Sequence, residues 1–109
     1  MWVDLDPIRG TEADKTRLAV VVSNDGANRT AESLGRGVIT VVPITTSTTR
    51  VYPFQVLLPA RSCGLSKRSK AQAEQIRSVS VERIARAAGR LNPQLLDQVD
   101  AAIRLHLNL

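Results

Sequence analysis

The sequence predicts a mostly-β protein of the α+β class: an antiparallel sheet with short helices and a C-terminal helix packed on it. Three observations predict this. Residues 18–22, Leu-Ala-Val-Val-Val, form a continuous apolar run rich in valine. It is too short for an ordinary helix and reads as a buried central strand. Residues 37–42 repeat that character and stop at Pro43. Near the C-terminus, Asn92-Pro93 is a helix start, a capping side chain followed by proline at the first helical position. Beyond it, Leu96, Val99, Ile103 and Leu107 recur at helical spacing and make an apolar stripe for packing on a sheet.

The remaining elements follow in chain order. Residues 1–6 are a short strand, with Trp2, Val3 and Leu5 apolar. Asp6-Pro7 and Gly10 mark a charged loop. Ser23-Asn24-Asp25-Gly26 breaks the first buried strand, and Asp25 caps a short helical turn through Asn28, Arg29 and Thr30. Residues 52–58 form a strand whose start is demoted to an edge or bulge by Pro53. Residues 70–79 alternate: Ala71, Ala73, Gln75, Arg77 and Val79 share one face. Ser80 caps a short helix over residues 81–88, stopped by Gly89. No repeat, low-complexity tract or linker interrupts the 109 residues, so one domain is expected over residues 1–109.

Composition narrows the partners. Fifteen Lys plus Arg against ten Asp plus Glu leave a net charge of +5, which favours a polyanion. Cys63 is the only cysteine, so neither a disulfide framework nor a multi-cysteine metal site is available. A reduced, cytoplasmic compartment is the natural inference. No apolar run approaches membrane-spanning length.

Several polar residues sit where strands end. Arg17 enters the first buried strand, and its rigid fork of donors suits a phosphate; Glu12 and Asp14 are near enough in sequence to pair with it instead. Thr45 and Thr46 follow the second buried strand, where a hydroxyl can hold a phosphate oxygen or simply belong to a threonine-rich turn. Arg61, Lys67, Arg68 and Lys70 make a basic loop, fit to track phosphates or to stay solvated. His106, near the chain end, reads as a surface or packing residue.

Taken in order, the Gly10–Arg17 loop, the strand after it, Val41-Val42-Pro43-Ile44-Thr45-Thr46, Val51-Tyr52-Pro53-Phe54-Gln55-Val56 and Ala73-Glu74-Gln75-Ile76-Arg77-Ser78 resemble the MazF/PemK family of toxin endoribonucleases over nearly the whole chain. The resemblance implies a small SH3-like antiparallel barrel. It also implies the toxin of a type II toxin–antitoxin pair. That toxin cuts single-stranded RNA at a defined sequence, without metal or other cofactor, to 2′,3′-cyclic phosphate and 5′-hydroxyl ends.

On this resemblance Arg17 and Thr45 are the catalytic residues. Glu12, Lys15, Thr16, Thr46, Arg50, Glu74 and Gln75 lie along the RNA path. Leu18 stands where the family's Gly-x-x-Arg-Pro pattern has proline. The partners implied are RNA, a second copy of the chain, and an antitoxin with an acidic flexible C-terminal segment. Two other functions fit the same broad features, a gyrase-inhibiting toxin of this fold and a non-catalytic nucleic-acid-binding barrel.

Overall fold

The computed structural model describes residues 2–5 and 17–109. Seven strands are joined in one sheet, and every pairing is antiparallel. The strands are β1 (Trp2–Leu5), β2 (Arg17–Val21), β3 (Val38–Thr45), β4 (Gln55–Leu58), β5 (Ser69–Gln72), β6 (Arg77–Ser80) and β7 (Ile84–Gly89). The order across the sheet is β4-β5-β3-β2-β1-β7, with β6 also on β3. Among the described residues there are three α-helices, α1 (Asp25–Leu34), α2 (Ala60–Cys63) and α3 (Pro93–Leu107).

The two valine-rich runs occupy the centre, as their composition requires. Strand alternation sends them to two cores. Val20 and Val42 join Trp2, Leu58, Leu95 and Val99 on one face; Ala19, Val21 and Val41 join Val3, Leu5 and Val79 on the other. Helix α3 lies on the first core. Asn92 Oδ1 accepts from the Leu95 amide at 2.8 Å, so the expected cap forms. Leu95, Val99 and Ala102 are its buried stripe, flanked by Leu96 and Ile103. Leu107, expected in that stripe, is exposed.

The sheet curls. Trp2 Nε1 on β1 donates to the Cys63 carbonyl at 2.7 Å, in the helix that follows β4. β1 is four strands from β4 in the sheet order, so the two reach one another only across a concave face. On its other side Trp2 is paired with Gly89 of β7. A Cβ at Gly89 would fall 2.6 Å from Trp2 Nε1, so the indole occupies the space that any larger residue needs.

Five expectations are corrected. Pro43 does not end the second buried strand, because β3 runs on to Thr45. The Thr40 amide and carbonyl turn towards the β2 side, to Ser23 and Val22. By alternation position 43 turns to the opposite edge, between the last β6 pairing at Val41 and the first β5 pairing at Ile44. The ladder is interrupted there, so the missing N–H costs no hydrogen bond.

Residues 70–79 are not one strand. A 3₁₀ turn, Ala73–Gln75, splits them into β5 and β6. Thr45 faces Lys70 and Val41 faces Arg77, so four steps of β3 oppose seven of its partner and the turn inserts three residues. Residues 81–88 are not a helix. Ser80 Oγ does accept from the Glu82 amide, but the turn it caps ends at Arg83 and β7 follows. In the loop before β4, Pro53 and Phe54 form a turn closed by the Gln55 amide on the Tyr52 carbonyl at 2.9 Å, so that strand starts at Gln55. Finally, α1 is a ten-residue helix, longer than the turn expected. Among its described side chains only Ala31 is buried, which left no apolar period to read.

Candidate nucleic-acid interface

The β2–β3 register brings the two candidate catalytic positions together. Ala19 faces Pro43, Val20 faces Val42 and Val21 faces Val41. The Ala19–Pro43 pair is two residues short of Arg17, the first residue of β2, and of Thr45, the last of β3, so the two stand at neighbouring strand ends. Thr45 also faces Lys70 of β5, Lys70 faces Leu57 of β4, and Arg17 faces Leu5 of β1. Thr45 and Lys70 are thus paired across β3 and β5, and Arg17 stands at the neighbouring end of β2.

Thr45 is half-buried, and its Oγ1 accepts from the Ser47 amide at 3.3 Å. That bond ties the hydroxyl to the first turn of the loop and leaves its proton to be donated. Alternation places Thr45 on the face opposite Ile44, which packs on the first core. Thr46 is exposed in the bend that follows.

Lys70 departs from expectation. It is buried, with 7% of its surface exposed, and belongs to β5 and not to the basic loop. Its Nζ donates to the Arg50 carbonyl at 2.6 Å, which pins the loop between β3 and β4. Arg61, in α2, and Lys67 and Arg68, between α2 and β5, are exposed.

Arg50 is exposed and lies over the Tyr52 ring, 5.6 Å from its centroid, with Nη1 donating to the phenol oxygen at 3.1 Å. Glu74 and Gln75 are on the 3₁₀ turn. Gln75 is exposed. Glu74 is half-buried; its Oε2 accepts from Gln55 Nε2 at 2.7 Å, and its Oε1 is sealed from solvent without a hydrogen-bond donor among the described residues. Gln55 is itself buried, and its Oε1 accepts from the Tyr52 amide at 3.1 Å. One amide side chain thus fastens the 3₁₀ turn to the loop before β4. Glu12, Lys15 and Thr16 lie outside the described residues.

Sequence reasoning missed Lys70 and Gln55 as organisers of the site. Each stands beside an apolar residue in a short strand, and nothing local distinguishes a buried Lys or Gln from an exposed one. Cys63 is buried, and burial pushes its thiol up from the ordinary value of 9.0. Such a thiol is a poor nucleophile at neutral pH. No group of three His, Cys, Asp or Glu side chains at metal-binding distance occurs among the described residues. No helix among them is long and apolar enough to cross a membrane.

A family model described as the PemK-like, MazF-like toxin of type II toxin–antitoxin systems matches residues 1–107. The chain belongs to that family. Among curated relatives of this MazF-like toxin is the endoribonuclease MazF9 of Mycobacterium tuberculosis, 61% identical over 110 residues, a match covering 100% of this chain and 93% of the relative. Among solved structures, the M. tuberculosis toxin MazF-mt6 superposes with a TM-score of 0.78 at 20% identity, covering 100% of this chain and 98% of that one. The MazF chain of a MazE–MazF crystal structure from Deinococcus radiodurans gives a TM-score of 0.75 at 25% identity, covering 99% and 91%. The expected fold class, a curled antiparallel sheet with a helix across it, is the fold of these toxins.

Proposed function

We propose that this MazF-like toxin is an endoribonuclease that cuts single-stranded RNA through the RNA's own 2′-hydroxyl. The observation that carries the reading is the β2–β3 pairing, which leaves Arg17 at the start of β2 and Thr45 at the end of β3 as neighbouring strand ends. The 61% identity to an endoribonuclease over the full chain supports it.

In the proposed reaction a base removes the 2′ proton and the 2′ oxygen attacks the neighbouring phosphorus. The 5′ oxygen departs with a proton, leaving a 2′,3′-cyclic phosphate and a 5′-hydroxyl. Arg17 stabilises the charge that builds on the phosphorane. Its guanidinium stays protonated throughout, so its role is electrostatic and not acid–base. Thr45 donates its hydroxyl to a non-bridging oxygen and holds the phosphate in line for attack. Glu12, Lys15, Thr16, Thr46, Arg50, Glu74 and Gln75 flank the RNA path.

The toxin acts in the cytoplasm as one domain per chain in a homodimer. RNA lies in the groove where the subunits meet. A cognate antitoxin fills that groove with an acidic flexible segment, which the net charge of +5 attracts. A MazE–MazF assembly from another organism supports such pairing.

The test is cleavage of a long single-stranded RNA in EDTA by the wild type, Arg17→Ala and Thr45→Ala, with the ends mapped. Cuts at one short motif, leaving cyclic phosphates and lost in both folded variants, are the expected result. A folded wild type that leaves RNA intact refutes the nuclease; undiminished cutting by the variants moves the site elsewhere.

A further inference from the structure

Flat side chains are scarce in this protein, and two of its three aromatic rings stand together at the surface beside the end of β3. Tyr52 and Phe54 stack with centroids 5.4 Å apart and planes within 6°. Tyr52 keeps 42% of its surface exposed. The Arg50 guanidinium lies 5.6 Å from the Tyr52 centroid, beside the phenol oxygen to which it donates. The imidazole of His106, from α3, lies 6.1 Å from Phe54, tilted by 51°. The third ring, Trp2, is buried in the core and unavailable.

The row is held by its backbone as much as by its rings. The Gln55 side chain accepts from the Tyr52 amide, the Gln55 amide closes the turn onto the Tyr52 carbonyl, and Lys70 fixes the Arg50 carbonyl. Lys70 is the cross-strand partner of Thr45. One buried lysine therefore links the stack to the position assigned to the scissile phosphate. These bonds hold the backbone of Arg50 and Tyr52 in place, which lowers the conformational freedom lost on binding.

Single-stranded RNA is recognised by bases that stack on aromatic rings and on arginine planes. A stack of parallel rings next to an arginine, joined to a phosphate site, is such a surface. We propose that the Tyr52–Phe54 stack is a platform for one nucleobase flanking the cut. The rings are already in contact, so the base adds to the end of the stack and does not enter it. It binds at Tyr52, the more exposed of the two rings. Arg50, on a long exposed side chain, lifts from the ring and covers the second face of the base. This inference rests on the nuclease reading and adds a positioning surface to it.

The test uses the full-length protein and an RNA containing the mapped cut motif. Single abasic nucleotides are placed in turn on either side of the cut. Tyr52→Ala raises KM about ten- to a hundredfold, the loss of one stacked base, with kcat within a few-fold of wild type; Tyr52→Phe retains wild-type KM. An abasic nucleotide at one flanking position reproduces the effect in wild type and adds nothing in Tyr52→Ala. In a companion measurement, the same RNA is blocked at the attacking 2′-hydroxyl and carries 2-aminopurine at that position. Its fluorescence is quenched on binding wild type and Tyr52→Phe, which reads stacking directly even if Tyr52→Ala fails to fold.

Unchanged KM in a folded Tyr52→Ala, or no quenching at any position on RNA that the wild type binds and cuts, overturns the platform and leaves the nuclease standing. A folded wild type that neither binds nor cuts RNA removes both.

Discussion

The two edges of β3 are built on different principles. On the β2 edge, apolar runs pair without a break and carry Arg17 and Thr45 to adjacent ends. On the other edge the ladder breaks at the Ala73–Gln75 turn. Polar groups hold the pieces together there: Lys70 on the Arg50 carbonyl, and Gln55 between Tyr52 and Glu74. The first edge owes its position to buried area, which is non-directional and forgiving. The second depends on individual hydrogen bonds in a dry setting, where each lost partner is expensive. The chemistry is thus proposed for the robust edge, and the shape of the RNA path for the fragile one.

Substitutions on each edge should separate these roles. The largest effect falls on catalysis at the robust edge. Arg17→Ala should lower kcat by about 10²–10³-fold, as for loss of one transition-state donor, with little change in melting temperature. A large drop in thermal stability would show that Arg17 supports the strand end and would erase the contrast. Lys70→Met probes the fragile edge. It keeps the stem and removes the donor to the Arg50 carbonyl, so stability should fall by about 1.5–3 kcal/mol. Limited proteolysis should then cut within residues 46–54. A loop that stays resistant in this variant would mean that the lysine is not its anchor.

Gly89→Ala tests the curl that both edges share. Its Cβ has no space beside Trp2, and overpacking of this kind costs about 1–3 kcal/mol. Urea unfolding should show the midpoint shift, and an unshifted midpoint would mean that the indole moves freely.

The smallest effect is at Cys63. Because burial raises its folded-state pKa, the native state holds the thiol proton more tightly than the unfolded chain. Stability is therefore complete below the ordinary value of 9.0 and declines as pH rises above it. Cys63→Ala should remove that alkaline decline, and the native thiol should resist a disulfide reagent until the protein unfolds. Rapid labelling of the folded protein would place Cys63 at the surface.

Much of the central sheet was legible because the valine runs and the Asn92-Pro93 cap announce themselves through composition and pattern; of the expected stripe Leu96, Val99, Ile103 and Leu107, the first three pack on the core and Leu107 is exposed. Family resemblance then assigned roles that composition left open at Arg17 and Thr45. The fragile edge was not legible, for physical reasons that differ by residue. Pro43 looks like a terminator, and only the gap in the facing ladder makes it harmless. Residues 70–79 alternate well enough to pass for one strand, because the 3₁₀ turn inserts an odd number of residues without an obvious breaker. Gly89 reads as a helix stop when its job is to make room for an indole from the other end of the chain.

That indole also bears on the order in which the fold is assembled. Trp2 has its carbonyl acceptor at Cys63 and its strand partner at Gly89, both far away in sequence. Long-range closure of this kind is slow and waits for the distant segment. The first core also needs α3, which begins at Pro93. The sheet therefore closes late in folding, and the proposed RNA site is complete only once segments distant in sequence have met.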